Sequence, residues 1–215
     1  MKHLLKRLMK ILPSPLEREL YWQKNRLVRR KKIERWVRKG KPLPPPHDYK
    51  QQVIEDVSKQ FGMDCLVETG TLFGSTIEAQ RKNFIRLYSV EIESTLCENA
   101  KNYFKNFSHI NIIEGDSSKK IPEILPALVN ESVLFWLDGH YSGGITGMGD
   151  KVSPIIEELD AILSFNFRNR YILIDDARCF GETSGYPTLT ELKEFVQSKV
   201  KNLKMEVVND LIHIY

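Results

Sequence analysis

Val133-Leu134-Phe135-Trp136-Leu137-Asp138 is a run of five apolar residues that stops on a carboxylate. A second run, Tyr171-Ile172-Leu173-Ile174, stops on two, Asp175 and Asp176. Runs this short and this rich in branched and aromatic residues predict strands buried on both faces. Carboxylates where such strands end lie at the carboxyl edge of a parallel sheet, the edge at which open α/β folds bind ligands. Three acids converging there repel one another unless a proton or a cation joins them. The pattern predicts an active site and, at it, a divalent metal.

Outward from these runs, helical and extended periodicities alternate. A helix over 49–61 leads to a strand at 65–68. A glycine-containing turn then opens a helix near Ser75. Strands at 87–91 and 110–113 are each followed by a helix, at 94–105 and around Pro122. A helix over 153–164 precedes the strand at 171–175, and another follows at 188–200. Two closing strands, 205–208 and 211–214, are joined by Asn209-Asp210, which favours a tight turn. Repeated βα units predict an α/β fold: a doubly wound, mostly parallel sheet with helices on both faces and an antiparallel hairpin at or near one edge.

Charge divides the chain. Residues 1–41 hold 15 Lys or Arg and 3 Glu, a net of +12; the whole chain is +4, so residues 42–215 carry 4 − 12 = −8. Residues 2–12 read as a basic amphipathic helix broken by Pro13 and Pro15, and a second helix spans 16–38 with Trp22 and Trp36 in it. The Gly- and Pro-rich stretch 40–46 is a stiff linker. The expected division is a basic helical arm with its linker over 1–47 and a catalytic domain over 48–215. Cys65, Cys97 and Cys179 fit neither a disulfide framework nor a zinc spacing, which suits a reducing compartment. No stretch is long enough to span a bilayer, and basic residues interrupt the N-terminal apolar residues, so a signal peptide is a poor fit. A cytoplasmic protein is expected.

Three motifs follow the first three strands. In Val67-Glu68-Thr69-Gly70-Thr71-Leu72-Phe73-Gly74-Ser75, glycines let the backbone approach a ligand and the next helix offers free N–H groups. The spacing is neither a dinucleotide fingerprint nor a phosphate-cradling loop. Glu68 would repel a phosphate, so a positively charged cofactor fits better. An ordinary βα turn is the plainer reading. Glu91, about 20 residues on, is placed to accept from the two hydroxyls of a ribose, with Glu93 as competitor. Asp116, in Glu114-Gly115-Asp116-Ser117, is placed to accept from an adenine amine; Asp116 or Ser117 could instead cap the next helix.

Over roughly residues 60–215 this ordered set resembles the class I S-adenosylmethionine-dependent methyltransferases, whose sheet is Rossmann-like. The resemblance implies S-adenosylmethionine as cofactor, held by Glu68, Gly70, Thr71, Gly74, Ser75, Glu91, Asp116, Ser117 and Asp138. Within that family, Asp138, Asp175 and Asp176 resemble the metal ligands of magnesium-dependent O-methyltransferases. Catechol-type members usually carry Asp-Asn at the second place; Asp175-Asp176 is closer to the macrolide-sugar group. The implied reaction is Mg²⁺-assisted methyl transfer to a hydroxyl of a sugar or glycan. O-methylation of a small aromatic or other natural product is the first alternative, and a non-catalytic cofactor-binding module the second.

Oxygen-only ligands suit Mg²⁺, which would lower the hydroxyl pKa and orient the oxygen. His140, two residues after Asp138, is the candidate general base and Lys151 the runner-up. The glycine-rich stretch 139–150 reads as a lid or a plain connection, and Tyr186 as a stacking platform for a sugar. The basic arm has three readings. It attaches to an anionic membrane surface at the inner face; it binds nucleic acid, against which the acidic body argues; or it packs on the body or on a second subunit of a homo-oligomer.

Overall fold

The computed structural model describes residues 15–139 and 153–215. Among them the chain runs α1 (Pro15–Arg38), α2 (His47–Phe61), β1 (Cys65–Thr69), α3 (Ser75–Gln80), β2 (Arg86–Glu91), α4 (Ser94–Phe104), β3 (Ile110–Glu114), α5 (Ser117–Ile124), β4 (Ser132–Leu137), α6 (Ile155–Leu163), β5 (Asn169–Ile174), α7 (Leu189–Lys199), β6 (Met205–Val208) and β7 (Leu211–Ile214). The strands form one sheet in the order β3-β2-β1-β4-β5-β7-β6. Strands β1 to β5 pair in parallel; β7 runs antiparallel between β5 and β6. This is the expected doubly wound sheet with its closing hairpin.

The apolar runs are buried on both faces because helices cover both. Val133, Phe135 and Leu137 of β4, with Ile172 and Ile174 of β5, pack on Ile121 of α5, Leu159 of α6 and Val196 of α7. The alternate residues Leu134, Trp136 and Leu173 face the other way, onto Ile54 of α2, Ile77 of α3 and Phe104 of α4. Each strand thus serves two cores with a period of two. Asn209 and Asp210 both take positive φ (48° and 68°), the backbone of a tight two-residue hairpin turn.

Helix α1 opens with Pro15, whose missing N–H costs nothing there, and has no further glycine or proline. One stripe of it faces the body. Trp22 Nε1 donates to the Ala79 carbonyl at 3.3 Å. Arg26 and Arg29 donate to the two oxygens of the buried Glu55 of α2, at 3.2 and 3.0 Å. Trp36 is buried, donates to the Pro42 carbonyl at 2.8 Å and lies 4.6 Å from the Tyr49 ring. So this part of the basic arm packs on the body, and much of its inward charge is answered by body carboxylates. The amphipathic helix expected over 2–12 lies outside the described residues.

The order of strands reverses between β1 and β4, which opens a crevice at their carboxyl ends. In register, Thr69 lies beside Leu137, and Leu137 beside Ile174. The acids that follow these strands therefore come to one edge.

Candidate active site

The turn after β1 is pressed against the end of β4. Gly70 has φ +86°, and a Cβ there would sit 2.6 Å from the Asp138 carbonyl oxygen. Only glycine permits both the conformation and the approach. The Asp138 N–H donates to the Thr69 carbonyl at 3.2 Å, and Gly70 N–H to that of Val90 at 2.9 Å. The Thr71 hydroxyl shares a 2.6 Å hydrogen bond with that of Ser89. Gly74, also left-handed, precedes α3, and Ser75 is its first residue, 2.9 Å from His47 Nε2.

Glu68 is buried and accepts from the Ser89 hydroxyl at 2.5 Å. Burial pushes its carboxyl up to about 8, against the pull of the Ser89 and Thr76 hydroxyls. A cation bound beside it would draw it back toward the ionised form.

The competing acids separate cleanly. Glu91 is buried and accepts from Leu72 N–H at 2.7 Å and from Glu93 N–H at 3.0 Å. It ties the glycine turn to the end of β2 and keeps lone pairs for a ligand. Glu93 is instead the N-cap of α4, accepting from Leu96 N–H at 2.6 Å. Asp116 is the N-cap of α5, accepting from Ser118 N–H at 2.9 Å. Ser117 is the first residue of that helix, so between the two it is Asp116 that caps.

The acids of β4 and β5 have a partner that the sequence did not reveal. The Lys50 ammonium of α2 donates to Asp175 Oδ2 and, at 3.4 Å, to Asp176 Oδ1. Desolvation pulls Lys50 down, but Asp175, Asp176 and Asp138 together outweigh it and hold Lys50 above its ordinary value. Asp176 has a left-handed backbone, φ 58°, which turns it away from the strand direction. It also takes a 2.8 Å hydrogen bond from Arg178, whose guanidinium bonds Asp210 of the hairpin turn as well. Burial, then the neighbouring Asp175, pushes Asp138 well above the usual carboxylate range, with Lys50 opposing. Asp175 is raised to about 6, again chiefly by burial and against Lys50.

This bears on the metal expected at Asp138, Asp175 and Asp176. Among the described residues no three acid, histidine or cysteine side chains are grouped so as to hold a metal ion. The physical reason is visible: the position between the acid pair is filled by an ammonium, and Asp176 is drawn toward Arg178. As they stand, these residues do not fit a divalent ion.

Asp175 helps to line a small cleft of about 10 Å³, whose walls also include Gly139, Ser153, Glu158, Phe180 and Tyr186. The Tyr186 ring meets Phe180 edge-on at 5.2 Å. Glu158, also missed in the sequence, is 1% exposed, and its Oε1 lacks a hydrogen-bond partner among the described residues. Burial pushes it up to about 7, with the Ser117 and Thr69 hydroxyls nearby opposing. His140 and Lys151, the candidate bases, lie outside the described residues, as does the glycine-rich stretch after Gly139.

No family model matches the chain, and no curated protein matches it. Solved structures match it in shape. An O-methyltransferase from Bacillus cereus in complex with SAH has a TM-score of 0.55 at 13% identity, covering 95% of this chain and 92% of that one. A SAH-bound methyltransferase from Podospora anserina gives 0.53 at 16% identity, over 95% and 97%. A putative O-methyltransferase from Klebsiella pneumoniae gives 0.51 at 18% identity, over 99% and 93%. At such identities the likeness is one of fold. Together with the strand order 3-2-1-4-5-7-6 and its antiparallel seventh strand, it establishes that the chain has the fold of the class I S-adenosylmethionine-dependent methyltransferases.

Proposed function

We propose that the chain is an S-adenosylmethionine-dependent O-methyltransferase acting on a hydroxyl of a sugar or glycan. The observation that carries this reading is the turn after β1. Gly70 is locked against the Asp138 carbonyl, Glu91 holds the turn from β2, and the buried acid Glu68 stands beneath it. That arrangement suits a cationic donor better than a phosphate. Similar structures that carry SAH add support. The acceptor half rests on the Asp175-Asp176 pair, near which Tyr186 offers an aromatic wall.

In the reaction the acceptor oxygen attacks the methyl carbon, the carbon–sulfur bond breaks, and its electron pair leaves on sulfur as a neutral thioether. The hydroxyl proton goes to a base. His140 is proposed for that role, with Lys151 second. The chain's own contribution is to hold donor and acceptor in line and to keep water out. Metal assistance is not part of this proposal, because the acid pair already holds Lys50.

The test is formation of S-adenosylhomocysteine with free sugars, sugar nucleotides and glycans, set beside catechols and other small aromatics. Turnover with a sugar-containing acceptor is expected. Turnover with aromatics alone would move the acceptor class, and none with any acceptor, while cofactor binds, would leave a binding module.

The outer stripe of α1 is proposed to rest on an anionic membrane surface. Leu20, Lys24, Leu27, Lys31, Arg35 and Arg38 recur at helical spacing on the face opposite the body, and Leu27 is 74% exposed. Apolar and basic residues on one face suit acidic lipid. No described helix is long and apolar enough to cross a membrane. Sedimentation with phosphatidylserine vesicles is expected to exceed that with phosphatidylcholine, and equal sedimentation would reject the idea.

A further inference from the structure

We propose that the Lys50 ammonium is the resident cation of the acid cluster, standing where a divalent metal would otherwise sit. Its place as an aid to methyl transfer rests on the function proposed above; its occupancy of the site does not.

Three observations carry the inference. First, one ammonium bonds both acids of the pair, Oδ2 of Asp175 and Oδ1 of Asp176. Second, Lys50 is not a loose surface lysine. Its side chain is 13% exposed and that of Asp175 is 2% exposed. Its helix is held by Glu55 to Arg26 and Arg29, and by Tyr49 to Trp36 and to the Asn209 amide, which donates to the tyrosine oxygen at 2.6 Å. Third, Asp176 has a second cation besides Lys50, because Arg178 joins it to Asp210.

A divalent ion brought to the same oxygens would face the ammonium at contact distance with little water between them. Like charges so placed repel strongly. Lys50 and an ion are therefore alternatives at one position. An ammonium can also do part of an ion's work. It offsets part of the acids' charge and, with two of its three N–H groups on Asp175 and Asp176, has one left for an acceptor oxygen, holding that oxygen at a defined distance from the donor. It cannot acidify a bound hydroxyl as a metal does, so the proton must leave to a base.

The experiment is a titration of the full chain with Mn²⁺ alone, followed by electron paramagnetic resonance of the free ion, on wild type, Lys50→Met and Lys50→Met/Asp175→Asn. Wild type is expected to bind no Mn²⁺ below about 1 mM, the weak end of protein cation sites. Lys50→Met, which bares the acids, is expected to bind about tenfold more tightly or better, and Asp175→Asn to erase that gain. One Mn²⁺ bound tightly by wild type overturns the proposal, and so does a Lys50→Met protein that folds, by thermal melt, and gains nothing. If Lys50→Met does not fold, the wild-type titration still decides. Lys50→Arg, which keeps the charge, is expected to remain cation-poor; tight binding there also counts against the idea. No cofactor or acceptor enters these measurements, so they can fail while methyl transfer stands, and succeed while it falls.

Discussion

The two halves of the carboxyl edge satisfy their polar groups in different ways. On the β1–β2 side partners are near in sequence: Glu91 takes the N–H groups of Leu72 and Glu93, and the Ser89 hydroxyl serves both Thr71 and Glu68. On the β4–β5 side partners come from far away. Lys50 is 125 residues from Asp175, and Arg178 is 32 from Asp210. The first half is a turn whose geometry is written into its own residues. The second is a charge cluster that exists only once α2 and the closing hairpin have docked.

The largest expected effect falls on the second half. Asp175→Ala is expected to lower the rate of S-adenosylhomocysteine formation by about a hundredfold or more while leaving cofactor affinity within about threefold, because the proposed function puts the cluster on the acceptor side. Loss of cofactor binding in calorimetry would show that the halves are not separate. On the first half, Gly70→Ala is expected to cost about 2–4 kcal/mol in urea unfolding, since a Cβ would meet backbone and φ is positive. Cofactor binding should fall with it.

Glu158 sharpens the comparison, because it lines the cleft yet reaches Thr69 at the end of β1. Its folded value of about 7 lies above its ordinary 4.5. The folded state therefore binds its proton more tightly, and the associated stability is complete below 4.5 and is lost as pH rises through 7. Glu158→Gln is expected to be near neutral at pH 5 and stabilising by on the order of 1–3 kcal/mol at pH 8. A pH-independent difference in melting would refute the burial argument. The smallest effect is Glu93→Ala, a lost cap worth about 1 kcal/mol with cofactor affinity unchanged, whereas Glu91→Ala should weaken cofactor binding about tenfold. Equal effects on binding would undo the separation of cap from ligand.

What was legible in the sequence follows the same division. The strands at 132–137 and 169–174 could be placed because buried runs ending in acids have few other readings, and Asn209-Asp210 announced its own turn. The glycine turn after β1 was legible for the same reason, since Gly70 and Gly74 announce it locally. The choice between Asp116 and Ser117, or Glu91 and Glu93, turned on which backbone N–H each side chain meets, which spacing does not encode. Lys50 gave no signal: a lysine in the first helical turns before a strand looks like any solvated residue until the helix is docked. The metal expectation came from counting acids without their cation.

Helix α2 carries Lys50 near its start, and its middle is clamped by α1 through Glu55. The arm thus acts as a strut for the residue that faces the acid pair. Cutting residues 1–41 away would remove Arg26, Arg29 and Trp36 at once, slackening the mount of Lys50 along with any lipid contact. Under the proposed function, attachment and chemistry would be mechanically linked through one helix. Single substitutions on the outer stripe, such as Leu27→Glu, leave that strut in place, and a load borne by the arm reaches the acids without passing through the sheet.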